Sequence, residues 1–116
     1  EIDCIKASSY GAGTVTTGTV NIHLDLIRPD LDKCDLLIIE DIIDTGYTLR
    51  ALREDLLSRK PNSLKIVVLA DKKERRKVEI PVDYVGFEIP NKFVVGYGFD
   101  VEERGRNLPY IGYIEN

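Results

Sequence analysis

At 116 residues the chain is long enough for a single domain with one modest core. Its 43% hydrophobic and 31% charged residues are those of a folded chain rather than a disordered one; no run of about 18 apolar residues offers a membrane span, and no stretch resembles a signal peptide. A net charge of −4 gives little support to nucleic acid as a partner; Cys4 and Cys34, with no CxxC pair and no His/Cys cluster, argue for reduced thiols in a cytosolic protein and against a thiolate metal site.

Ile2, Cys4 and Ile5 predict a first strand within residues 1–7. The Ser/Thr/Gly-rich stretch "SSYGAGTVTTGTV" then predicts a long surface loop or hairpin. Val20, Ile22, Leu24 and Leu26 alternate with polar residues, the period of a half-buried strand, and His23 is read there as a solvent-facing strand residue. "DLLIIE", from Asp35 to Glu40, is a continuous apolar run that predicts a strand covered on both faces. From Thr48 the pattern turns helical, with Leu49, Leu52, Leu56 and Leu57 in register and Pro61-Asn62 as the stop. "LKIVVLA", residues 64–70, predicts a second fully buried strand, and "DKKERRKVEIP" a charged connection. Short strands follow in "VDYVGFEIP", "KFVVGYGFD" and "LPYIGYIE". Strand, helix, strand and further strands predict an α/β fold with a largely parallel sheet and no linker that would divide residues 1–116 into two domains.

Three acids crowd the end of the first apolar strand, in "DLLIIEDIIDTGYTL". In open α/β sheets ligands bind beyond the carboxyl ends of the strands, where Glu40, Asp41 and Asp44 are expected. The following turn opens a helix, whose free N–H groups and positive dipole end suit a phosphate. Gly46 allows close backbone approach, and Thr45 and Thr48 add hydroxyl donors. Glu40 and Asp41 suit ribose hydroxyls or Mg²⁺. A phosphate cradle beside paired acids describes a phosphorylated ribose better than a nucleotide triphosphate, and the Walker lysine pattern is absent.

The same stretch resembles the phosphoribosyl-pyrophosphate (PRPP) signature of type I phosphoribosyltransferases, and most resembles that of the hypoxanthine-guanine phosphoribosyltransferases. Three further segments are similar to that family in the same order: "SSYGAGTVTTG" to its mobile loop, with Ser9 and Tyr10; "LADKK" to the segment of its purine-reading lysine, Lys72; and "VGFEIPNKFVVGYGFDVEERGRNLPYIG" to its base-binding segment, with Lys92, Phe93, Val94, Asp100 and Arg106 at matching places.

The resemblance implies purine salvage: transfer of phosphoribosyl from PRPP to hypoxanthine or guanine in a cytoplasmic enzyme that commonly forms homodimers or homotetramers. It makes Asp44 the general base for the purine N7 proton, while Thr45, Gly46, Tyr47 and Thr48 hold the 5′-phosphate. Glu40 and Asp41 serve the ribose hydroxyls directly or through Mg²⁺, Asp100 holds a Mg²⁺ bridged to pyrophosphate, and Arg106 meets the pyrophosphate charge. Lys72 donates to the 6-oxo group, Phe93 stacks on the base, the Val94 backbone reads its far edge, and the loop of Ser9 and Tyr10 closes over the site.

By composition alone, Lys72 belongs to a charged run of the kind that forms a solvated face, Phe93 reads as a core aromatic, and Asp100 with Arg106 as an exposed pair. Val101, Arg104 and Gly105 stand where the family usually has aromatics beside an acid, which makes Arg104 a rival to Arg106. The absence of methionine, the opening "EIDCIKASSYG" and the lack of a Leu-Lys-Gly-Gly type loop predict a fragment lacking roughly the first third of such an enzyme, with the activity of the fragment alone left open. Two other functions compete: a PRPP-sensing regulator on the same fold that binds nucleic acid, and a flavodoxin-like phosphoacceptor domain. The second leaves the Ser-Tyr loop and the Phe93 segment without a role.

Overall fold

The computed structural model describes residues 1–9, 20–26 and 28–115. Strands β1 (Lys6–Ser9) and β2 (Val20–Leu24) pair antiparallel, with Ser9 opposite Val20. β3 (Asp35–Ile43), β4 (Ser63–Asp71) and β5 (Tyr84–Glu88) form a parallel sheet in that order, with α1 (Tyr47–Ser58) crossing from β3 to β4. β6 (Val94–Val95) pairs antiparallel with β7 (Gly112–Tyr113). The α/β class with a central parallel sheet is therefore the one expected.

The core sits on one face of that sheet. Ile66, Val68 and Ala70, alternate residues of β4, are fully buried, as the two-residue period of a strand requires. They meet Ile43 at the end of β3, Leu49 of α1 and Ile80 from the crossover between β4 and β5, with Ile38, Leu64 and Val82 around them. Leu49, Leu52 and Leu56 form the buried stripe of α1, whereas Leu57, about 100° further round the helix, is 40% exposed. Lys60 adopts the left-handed conformation (φ 54°) just before Pro61, which cannot continue the helix.

The two apolar runs predict strands covered on both faces, and here the structure differs. Along β3 the exposure alternates: Leu37 and Ile39 are 53% and 76% exposed, and their neighbours Leu36 and Ile38 are half-buried. Both crossovers pack residues onto the Ile66–Val68 face; on the other, Leu69 shares a cleft with Tyr97, Tyr110 and Ile111, while Leu37 and Ile39 of β3 stay exposed. β3 also continues through the two acids to Ile43, three residues beyond the predicted run.

At its far end α1 is joined to the β1–β2 hairpin. The Arg59 guanidinium donates to both oxygens of Asp25 and to Asp55, and this holds the Asp25 carboxyl below its ordinary value. The hairpin is thereby fixed to the helix whose opposite end faces the site.

Candidate functional site

The strand-to-helix turn after β3 sets the site's floor. Gly46 precedes α1 with a left-handed backbone (φ 93°, ψ −6°), and a Cβ there would lie 3.2 Å from Val78 Cγ2. Both facts call for glycine. No side chain caps the helix, and its first turn carries no acid, so the N–H groups that open α1 keep their capacity for an anion. Ile43 and Thr45 are also stapled from the next crossover: Lys72 N–H donates to the Ile43 carbonyl (3.0 Å) and Lys77 N–H to the Thr45 carbonyl (2.9 Å). The turn is a fixed loop with Tyr47 and Thr48 in the first turn of the helix.

A cleft of about 610 Å³ lies beside this turn, lined by Asp44, Lys72, Arg75, Lys92 and Phe93 among others. Three residues chosen from sequence, Asp44, Lys72 and Phe93, thus converge on one space from three separate segments. Lys72, immediately after β4, is 8% exposed, yet among the described residues no carboxylate pairs with it. Its Nζ stands 5.8 Å from the centre of the Phe93 ring, a cation–π distance. Phe93 itself is 69% exposed, so the reading of a core aromatic does not hold. Val94 is buried, with its backbone in the ladder opposite Tyr113. A second cleft of about 550 Å³, lined by Leu69, Phe87, Tyr97 and Tyr110, holds none of the expected site residues.

Arg75 was not foreseen. It lies in the charged connection, and nothing in such a run distinguishes one arginine from the next. In the structure its Nε donates to Asp44 Oδ1 at 2.5 Å. Its neighbour Arg76 turns the other way and forms a two-pronged pair with Asp71 (2.9 and 3.2 Å), which is 1% exposed and directly precedes Lys72. Sequence reasoning missed that pair too.

Other expected residues do not gather at the cleft. Glu40 and Asp41 are successive residues inside β3, so their side chains leave opposite faces of the sheet. Glu40 is half-buried and Asp41 exposed. Asp100 accepts from the Glu103 N–H (2.7 Å) and pairs with Arg106 (3.4 Å), closing a tight turn in which Glu102 and Glu103 both have positive φ. Neither Asp100 nor Arg106 lines the cleft. The carboxylates Glu40, Asp41 and Asp100 expected around Mg²⁺ form no preassembled cage: among the described residues no three acids, histidines or cysteines meet. That donor set still fits Mg²⁺, which takes one or two carboxylates and completes its shell with substrate phosphates and water. Of the expected loop pair, Ser9 ends β1 and Tyr10 lies outside the described residues.

Burial, and secondarily the adjacent charge of Asp41, raises the Glu40 carboxyl above its ordinary value. An acid raised in the folded state favours folding below its unfolded value and loses that contribution as pH rises through the folded value. Glu40→Gln is therefore expected to stabilise the protein at neutral pH and leave it unchanged near pH 4. Urea unfolding at both pH values checks this, and equal midpoint shifts at the two would contradict it.

A family model described as "Phosphoribosyl transferase domain" matches residues 1–102. Hypoxanthine phosphoribosyltransferase of Salmonella typhimurium is 53% identical over 114 residues, 98% of this chain and 64% of that protein. Hypoxanthine-guanine phosphoribosyltransferase of Aquifex aeolicus is 46% identical over 99% of this chain and 64% of its own length. The chain thus spans just under two thirds of these curated relatives. A crystal structure of a hypoxanthine phosphoribosyltransferase from Staphylococcus aureus superposes with a TM-score of 0.86 at 53% identity, covering 96% of this chain and 60% of that one.

Proposed function

Because the chain belongs to the phosphoribosyltransferase family, we propose that it serves purine salvage, moving 5-phosphoribosyl from PRPP to hypoxanthine or guanine. The observation that carries this reading is the convergence of Asp44, Lys72 and Phe93 on one cleft beside the uncapped start of α1. In the reaction a purine nitrogen bonds to C1′ as the bond from C1′ to pyrophosphate breaks, its electron pair leaving with pyrophosphate. The base gives up its N7 proton to the Asp44 carboxylate. The same negative charge steadies the cationic sugar of an oxocarbenium-like transition state.

The N–H groups of the helix start, with the Thr45 and Thr48 hydroxyls, take the 5′-phosphate. Tyr47 contributes through its backbone. Lys72 donates to the purine 6-oxo group, which an adenine amino group cannot replace, and Phe93 stacks on the ring while the Val94 backbone meets its far edge. Glu40 and Asp41, one from each face of β3, serve the ribose hydroxyls or the metal, and Arg106 serves the pyrophosphate. Asp100, or Glu40 and Asp41, would hold Mg²⁺, which would supply charge neutralisation for the leaving group. Ser9 and Tyr10 belong to the segment that excludes water. Residues 1–116 belong to one phosphoribosyltransferase catalytic domain and span just under two thirds of the length of the curated relatives.

Two unpaired thiols fit a cytoplasmic setting, and no helix among the described residues is long and apolar enough to cross a membrane. Dimers or tetramers of identical subunits are part of the proposal. No observation favours the nucleic-acid-binding alternative.

The test is formation of inosine monophosphate from hypoxanthine, PRPP and Mg²⁺, followed by absorbance, with calorimetric binding of PRPP alongside. Turnover that needs Mg²⁺ and is absent with adenine is the expected result. A folded protein that binds neither PRPP nor hypoxanthine overturns the reading.

A further inference from the structure

Asp44 makes one hydrogen bond among the described residues, and it goes to Arg75. The backbone around Arg75 is held on both sides. Its own N–H donates to the Lys72 carbonyl (2.9 Å) in a single 3-10 turn, and two residues later Lys77 N–H is bound to Thr45. Arg76 is anchored inward on buried Asp71, and Arg75, from the same hydrogen-bonded turn, is directed at the cleft.

The pair adds little to the fold, because its two side chains are 45% and 44% exposed and water screens their attraction. Its consequence lies in the cleft. Lys72 and Asp44 line the same space with opposite charges. A carboxylate left without a partner there would turn to the Lys72 ammonium, and the two groups assigned to the two edges of the base would neutralise each other.

We propose that Arg75 is a positioning residue: by holding Asp44 Oδ1 it keeps the carboxylate off Lys72 and leaves Oδ2 to take the proton of the base. This rests on the transferase reading given above. Arg75 touches neither substrate in this scheme and acts through Asp44.

The experiment is a double-mutant cycle on steady-state kinetics with hypoxanthine, using Arg75→Ala and Asp44→Asn alone and combined. Arg75→Ala is expected to lower kcat/KM for hypoxanthine by about tenfold to 10²-fold, since misplacing a catalytic group by about 1 Å can cost about 10²-fold. The KM for PRPP and the melting temperature should hold. Arg75→Lys, or millimolar free guanidinium added to Arg75→Ala, should restore part of the loss. In the Asp44→Asn background the Arg75→Ala change should cost nothing further. An equal loss in both backgrounds, or no loss in the first, overturns the proposal while leaving the transferase reading intact. Failure of the folded, unsubstituted protein to bind either PRPP or hypoxanthine overturns that reading and this proposal with it.

Discussion

Asp44→Asn is expected to lower turnover with hypoxanthine and PRPP by about 10²- to 10⁴-fold, the usual worth of a positioned general base. The substitution keeps size and shape. It removes the basic oxygen and the negative charge, so both roles proposed for the carboxylate are lost together: accepting the N7 proton and steadying the sugar cation. The asparagine carbonyl can still accept from Arg75 Nε, now at 2.5 Å from Oδ1, so the cleft should keep its form. The side chain is 44% exposed, and the fold has little to lose. A fall in kcat with PRPP binding and melting temperature unchanged is the expected pattern. A loss below tenfold would remove Asp44 from the chemistry and leave it as the end of a strand.

Periodicity and punctuation made the central βαβ unit legible. Isoleucines and valines in unbroken runs could only be strands, the leucines of α1 recur at helical spacing, and Pro61 marks the end. Coverage was not legible. Leu37 and Ile39 are as apolar as Ile66, and composition records that a residue is greasy without recording what lies against it. The end of β3 was misplaced for a related reason, since two acids look like a strand terminus, whereas the parallel ladder runs on through Ile42 opposite Ala70 and Ile43 opposite Asp71.

In the candidate site, residues inside a recognisable motif were found, Lys72 among them at the head of a charge run, and the arginines further along that run were not. Asp44, Lys72 and Phe93 each sit in a segment with a shape of its own. Arg75 and Arg76 are adjacent, identical in type, and opposite in use. One pairs with a buried acid and the other with the proposed base, a distinction made by which way a single 3-10 turn presents them. For Asp100 the structure adds a contact that the sequence did not offer: its carboxylate accepts from the Glu103 N–H and so closes a turn.

Gly96→Ala is expected to be among the most damaging single substitutions for the fold, although it adds one methyl group. Gly96 follows β6, two residues after Val94. A Cβ there would sit 1.9 Å from the Tyr110 carbonyl oxygen and 3.1 Å from Leu108 Cβ. The first obstacle is backbone, so no side-chain rotation relieves it. The segment is also held in place: Gly96 exchanges hydrogen bonds with Phe99, and Tyr97 N–H donates to the Leu108 carbonyl, each at 2.9 Å. Its φ of 97° adds a conformational cost for any L-residue. Overpacking of about 1–3 kcal/mol and a left-handed penalty of about 1–2 kcal/mol together take a large part of a stability that is typically about 5–15 kcal/mol. Gly98→Ala is the internal control. Its φ is 96°, but nothing lies within 4 Å of the added carbon, so it bears the conformational cost alone. Thermal melts of the two variants should differ by roughly 4–24 °C, taking about 1–3 kcal/mol of overpacking at about 4–8 °C per kcal/mol. The base site should register the same strain, because whatever moves Gly96 away from Tyr110 also moves Phe93 and Val94. In Gly96→Ala, binding of hypoxanthine is therefore expected to weaken before binding of PRPP does. Equal melting temperatures for the two variants would show that the 94–96 and 108–110 segments are not packed as described, and the position of Phe93 at the cleft would fall with them.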